Sequence, residues 1–114
     1  MHKLEDLKIW QKAMIVAEQT YHLSANFPKD ERFGMTSQIR RSAVSVPSNI
    51  AEGAGRNTKG EFAQFLGIAN GSLYELQTQL LLASRFGFVS KNKVNEIVEK
   101  VIEIQRMNYA LIKT

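Results

Sequence analysis

Residues 58–87, TKGEFAQFLGIANGSLYELQTQLLLASRFG, decide the fold. Phe62, Leu66, Ala69, Leu73, Leu76, Leu80 and Ala83 recur at steps of four, three, four, three, four and three. That spacing lines one face of a helix with 3.6 residues per turn and does not suit a strand, whose side chains alternate. The stretch opens on Thr58 and Glu61, spaced as a capping box in which each side chain satisfies the other's free amide. Gly87 is placed to stop it. About 28 residues at 1.5 Å each give a rod of about 42 Å. So long a helix is stable in water only when packed along most of its length, so the rest of the chain must supply partners.

Upstream, Met35, Ile39, Ala43, Val46 and Ile50 form a second helical stripe. Pro47 sits inside it. Proline removes a backbone donor and crowds the carbonyl four residues back, here Ala43. Because the apolar pattern continues through Ile50 to Ala54, the spacing predicts a helix kinked at Pro47 and ended by Gly53 and Gly55. Earlier still, between about Asp6 and Ala25, two apolar stripes run side by side. Leu7, Trp10, Met14, Ala17 and Tyr21 read as the core-facing one, with Ile9, Ala13, Val16, Thr20 and Leu23 beside it. Phe27-Pro28-Lys29-Asp30 marks a turn. Downstream, Ser90 is placed to cap a last helix with Val94, Ile97, Val101, Ile104, Asn108 and Leu111 inward. No segment alternates with period two. Four amphipathic helices on short connections predict an all-α, antiparallel, up-and-down four-helix bundle, with residues 1–114 as one domain.

Composition narrows the chemistry. The chain has 114 residues and no cysteine, which removes disulfides, thiolate metal sites and cysteine nucleophiles. The opening Met1–Asp6 has no apolar run of signal-peptide length. The longest apolar stretch, the five residues Ala13–Ala17, is far short of the roughly 20 residues a membrane span needs. The expectation is a soluble cytoplasmic protein without a membrane partner. Fifteen Lys and Arg against eleven Asp and Glu give a net charge of +4. Between Arg32 and Gly60, Arg32, Arg40, Arg41, Arg56 and Lys59 face Glu52 alone. A local positive field of this kind attracts polyanions.

Catalytic and cofactor signatures are absent. Gly55-Arg56-Asn57-Thr58-Lys59-Gly60 has Walker spacing, but Glu61 and Phe62 stand where Lys and Ser or Thr are required, and no strand precedes the loop. His2 and His22 have no second ligand at metal spacing. No cofactor and no metal are expected. Glu75, on a polar strip with Ser72, and Glu52, near Asn49, are the two carboxylates worth weighing. Both are expected to pair with Arg40, Arg41 or backbone in a polar network of Asn49, Glu52, Ser72 and Glu75 between helices, since buried charges must be paired. Gly67 and Gly71 lie one turn apart on the long helix, beside Ala63. Each costs about 1 kcal/mol there, so close approach of a neighbouring helix or subunit is expected to offset them.

Ser45-Val46-Pro47-Ser48-Asn49-Ile50-Ala51-Glu52-Gly53-Ala54-Gly55-Arg56 resembles the signature of bacterial four-helix bundle proteins of the 23S rRNA intervening-sequence type, which are ribosomal-protein-like. Gln38-Ile39-Arg40-Arg41-Ser42-Ala43, Ile68–Leu76 and Trp10-Gln11-Lys12-Ala13 fit it too, so the likeness spans nearly the whole chain. The resemblance implies an up-and-down bundle assembled as a homopentameric ring. Similar proteins include the accessory variability determinant of diversity-generating retroelements, which binds nucleic acid and a reverse transcriptase. Arg40, Arg41 and Arg56 lie within the matched motifs.

Three functions follow as expectations. One is a pentameric accessory protein, not an enzyme, binding RNA or DNA through phosphates by way of Arg40, Arg41, Arg56 and Lys59. A second is a scaffold ring that recruits a protein partner. The third is an enzyme with an intersubunit site using Glu52 or Glu75. The residues themselves leave open whether the arginines meet a ligand or pair internally.

Overall fold

The computed structural model describes residues 3–114; His2, weighed above as a metal ligand, lies outside them. Four helices carry the chain: α1 (Lys8–Ser24), α2 (Met35–Ala54), α3 (Lys59–Arg85) and α4 (Lys91–Ile112). There are no strands among the described residues. Each helix packs on its neighbours in sequence, and α4 closes against α1. With connections as short as 55–58 and 86–90, that arrangement is an antiparallel four-helix bundle. Its longest dimension, 43 Å, is close to the length of α3.

Local signals explain the element ends. Thr58 Oγ1 accepts from the Glu61 amide at 3.1 Å. The reciprocal half of the expected capping box is not made. The Glu61 carboxylate takes the Thr58 hydroxyl at 3.1 Å and faces Arg56 rather than the Thr58 amide. Thr58→Ala is therefore expected to cost about 1 kcal/mol. A urea melt should show this as a lower midpoint at unchanged slope. At the other end Gly87 adopts φ 81°. Its amide reaches the Ser84 carbonyl and the Phe88 amide reaches Ala83. This is a Schellman closure, which needs a left-handed residue and so favours glycine. Ser90 caps α4 by accepting from the Lys93 amide at 3.3 Å.

The stripes of α2, α3 and α4 face the core. Ile39, Val46, Ile50, Leu66, Leu73, Leu76, Leu80, Val94, Val101 and Ile104 are buried there. α2 runs through Pro47 to Ala54. In α1 the expected order of the two stripes is reversed: Ile9, Ala13, Val16, Thr20 and Ser24 are buried, while Met14 and Tyr21 are exposed. Two apolar stripes a third of a turn apart satisfy the same periodicity. Only the positions of α2 and α4 decide which one turns inward.

The glycines also exchange roles. Gly53 does not end α2; it is buried inside the helix. A Cβ placed on it would stand 2.7 Å from the Phe65 Cβ and 3.3 Å from the Phe62 carbonyl. The four-residue connection 55–58 draws the ends of α2 and α3 together, so the backbones converge where a side chain will not fit. Gly67 and Gly71, expected to mark a close approach, meet nothing within 4 Å in this chain.

Candidate functional site

Ser42, Ser45, Asn49 and Gly53 succeed one another at three- and four-residue steps along the side of α2 that faces α3. Their small size permits close packing, and their polar groups are matched across the seam. Ser42 Oγ donates to Glu75 Oε1 at 3.0 Å. Ser45 Oγ lies 2.8 Å from Ser72 Oγ, and Asn49 Nδ2 donates to the Ser45 carbonyl at 2.8 Å. Asn49, Ser72 and Glu75 thus sit on one seam. Glu52 does not join them: it points outward and pairs with Arg56 at 2.9 Å. Neither Arg40 nor Arg41 reaches Glu52 or Glu75. No three His, Asp or Glu side chains among the described residues converge as metal ligands.

The four basic candidates divide into two pairs. Arg40 and Arg56 are sixteen positions apart on or just beyond α2, which is about 24 Å of helix. Arg56 is held at the α2–α3 connection by Glu52 and by Glu61 at 3.7 Å, with its guanidinium over the Phe65 ring. Two carboxylates offset its charge. Such exposed pairs contribute little to stability, but they leave little field to attract a polyanion. Lys59, the first residue of α3, is exposed nearby.

Arg40 is placed differently. Its guanidinium lies over the Tyr21 ring, 3.9 Å from the centroid. Nε donates to Ser24 Oγ at 2.8 Å and Nη2 to the Tyr21 carbonyl at 3.1 Å. A cation there complements the negative end of the α1 dipole and satisfies a terminal carbonyl. None of these partners is a carboxylate, so the positive charge remains uncompensated. Arg41, one residue on, is exposed and touches only Ser37 Oγ at 3.4 Å.

Topology adds cations that the count along the chain missed. The turn after α1 and the turn after α3 meet at one end of the bundle, where the Phe27 and Phe88 rings pack tilted at 50° with centroids 5.7 Å apart. Lys29 and Arg32 from the first turn thereby join Arg85, Lys91 and Lys93 from the second. Residues 18–41 and 85–96, which build this end, hold seven of the fifteen Lys and Arg but four of the eleven carboxylates. An excess of three out of a net charge of +4 is gathered there. The signal available earlier was the antiparallel topology itself, which forces alternate connections onto the same end.

A family model described as 23S rRNA-intervening sequence protein matches residues 5–110. No curated protein matches the chain. Among solved structures, one from Bacteroides thetaiotaomicron is similar over 93% of this chain and 99% of its own, with a TM-score of 0.83 and 26% identity. It is described as a protein with unknown function from the S23 ribosomal protein family. No helix of the described residues is long and apolar enough to cross a membrane.

Proposed function

The chain belongs to the 23S rRNA-intervening sequence protein family, and on that premise we propose that it is a self-associating, non-enzymatic accessory protein that binds RNA or DNA through phosphates, largely without regard to sequence. The observation that carries this reading is the uncompensated charge at one end of the bundle. Arg40 and Arg41 stand there without carboxylate partners, whereas Arg56 is neutralised by Glu52 and Glu61. Contact is therefore assigned to Arg40, Arg41 and their neighbours at that end, with Arg56 excluded and Lys59 peripheral. In a ring of five copies, the assembly the family resemblance implies, a charge of +4 per chain becomes about +20. Counterion release from phosphates then supplies most of the affinity.

Titration with labelled structured RNA and duplex DNA across a salt series tests this. Affinity is expected to fall by about 10³-fold or more between 50 and 200 mM salt. Arg41→Gln should flatten the salt slope and Arg56→Gln should leave it unchanged. A stable oligomer that ignores both nucleic acids would overturn the reading.

Self-association has its own support. From Phe62 to Ser84, α3 carries one charged side chain, Glu75. Gly67, Ile68, Gly71, Tyr74 and Leu81 are exposed on its outer side. A smooth helix face with Glu75 as its one charge suits close contact with another copy. Gly67→Ala and Gly71→Ala are expected to raise the stability of the isolated chain by about 1 kcal/mol each, because nothing blocks the added methyl, while lowering the oligomer mass at a given concentration. Analytical ultracentrifugation together with denaturant melts reads both effects. The same face favours a second reading, a scaffold that recruits a protein partner. A pull-down that retains one protein after nuclease treatment would support that alternative.

A further inference from the structure

The corner between α1 and α2 holds a depression of about 480 Å³, within the range of small-ligand sites. Its wall includes Ser24, Phe27, Lys29, Arg32, Thr36 and Arg40. Three cations thus converge on one recess: Lys29 from the short 3₁₀ turn Lys29–Glu31 of the connection, Arg32 just after it, and Arg40 from the second turn of α2. None of the three forms an ion pair. Neither of the two carboxylates between them in sequence, Asp30 and Glu31, lines the recess, and Glu31 Oε1 accepts from the Met35 amide at 3.0 Å.

The recess is built rather than incidental. Arg40 is immobilised by Ser24, the Tyr21 carbonyl and the Tyr21 ring. Those bonds occupy Nε and Nη2, which leaves Nη1 for a ligand. Arg32 lies over the ring of Phe33 at 5.3 Å, but that ring is itself 87% exposed, so Arg40 is the fixed cation of the recess and Arg32 a mobile one. Phe27, which forms part of the wall, is 7% exposed and packs on Phe88. Positioned guanidinium groups bind phosphate oxygens well because little side-chain entropy is lost on contact. Thr36 adds a hydroxyl donor.

The charge and shape distinguish the kind of phosphate. A phosphodiester within a strand carries one negative charge and must pass through the site, which suits a flat basic stripe. A terminal phosphomonoester carries about −1.5 to −2 at pH 7 and offers three strong acceptor oxygens. It can enter a recess end-on, and three cations match its charge. We propose that the α1–α2 corner is a docking site for the terminal phosphomonoester of a nucleic acid strand. This rests on the nucleic-acid reading above and adds to it a preference for phosphorylated strand ends.

The test uses the full chain and one single-stranded RNA sequence prepared with a 5′-phosphate, a 3′-phosphate or hydroxyl ends. A phosphorylated end is expected to bind about ten times more tightly than hydroxyl ends. Lys29→Gln and Arg32→Gln, both at exposed positions, should abolish that preference while thermal unfolding stays unchanged. Arg41→Gln should weaken all three RNAs equally. Equal affinity for the three RNAs in the native protein would overturn the proposal and leave the nucleic-acid reading standing. No binding of any of them would overturn both. Competition by a free nucleoside monophosphate as strong as by the phosphorylated RNA would also overturn it, since the site would then hold a nucleotide and not a strand end.

Discussion

Asn108→Asp is expected to cost about 3–5 kcal/mol at neutral pH, the scale of an uncompensated buried charge. Asn108 is fully buried on α4. Its Nδ2 donates to the Leu66 carbonyl of α3 at 2.7 Å, while Oδ1 has no partner. A carboxylate in that place would set a negative oxygen against a carbonyl oxygen in an apolar interior. Burial disfavours the charged form, so the introduced carboxyl would titrate well above the ordinary range in the folded state and at about 3.9 in the unfolded chain. The folded state then holds the extra proton between those two values, and the penalty shrinks as pH falls through the higher one. Denaturant melts at pH 7 and pH 4.5, read as the gap between variant and parent, check both magnitude and sign. Asn108→Leu, of similar branched shape but larger, should cost far less than the aspartate, because it removes the orphaned oxygen together with the hydrogen bond and leaves only the strain of the added volume. A large loss for the leucine variant would mean that the Leu66 contact itself, rather than charge burial, sets the cost.

Gly53→Ala carries the second large effect. In most helix interiors this exchange gains about 1 kcal/mol from backbone propensity. Here the added methyl would fall 2.7 Å from the Phe65 Cβ, 3.1 Å from the Phe62 ring and 3.3 Å from the Phe62 carbonyl. A Cβ and a helix carbonyl cannot rotate aside as a side-chain tip can, so α2 and α3 must separate. Overpacking of this kind costs about 1–3 kcal/mol, and the net result is expected to be a loss. It should also loosen Ser45–Ser72 and Ser42–Glu75 farther along the same seam. Loss of amide protection along α2, seen by hydrogen exchange, would distinguish this from local fraying. An unchanged or raised melting temperature would show that the α2–α3 approach is softer than the geometry requires.

Gly53 and Gly67 show why the fold was more legible than the interfaces. Both lie inside helices, where each carries the same local cost, although sequence spacing reads Gly53 as a helix end and Gly67 as a site of close approach. What separates them is the neighbour, and that depends on the four-residue connection pulling two helix ends together. Tyr21 makes the same point. It belongs to a regular apolar stripe, yet it lies outside, where it carries Arg40. The basic candidates were legible as residue types, but not as a patch. Arg56 lost its free charge to Glu61, a partner across the α2–α3 turn, as well as to Glu52. Arg40, for its part, gained Lys29 and Arg32 as neighbours.

The sequence by itself determined the number of helices, their bounds to within a few residues, the inward stripes of α2, α3 and α4, and the membership signalled by the motif from Ser45 to Arg56. These follow from interactions a few residues apart: helical periodicity, side-chain capping at Thr58 and Ser90, and the left-handed closure at Gly87. Only the tertiary structure decided which stripe of α1 faces inward, which glycine receives another helix, and which cations remain unpaired at the end where Phe27 meets Phe88. Those outcomes depend on contacts between residues tens of positions apart, and local periodicity carries no information about the angle or distance at which two helices meet.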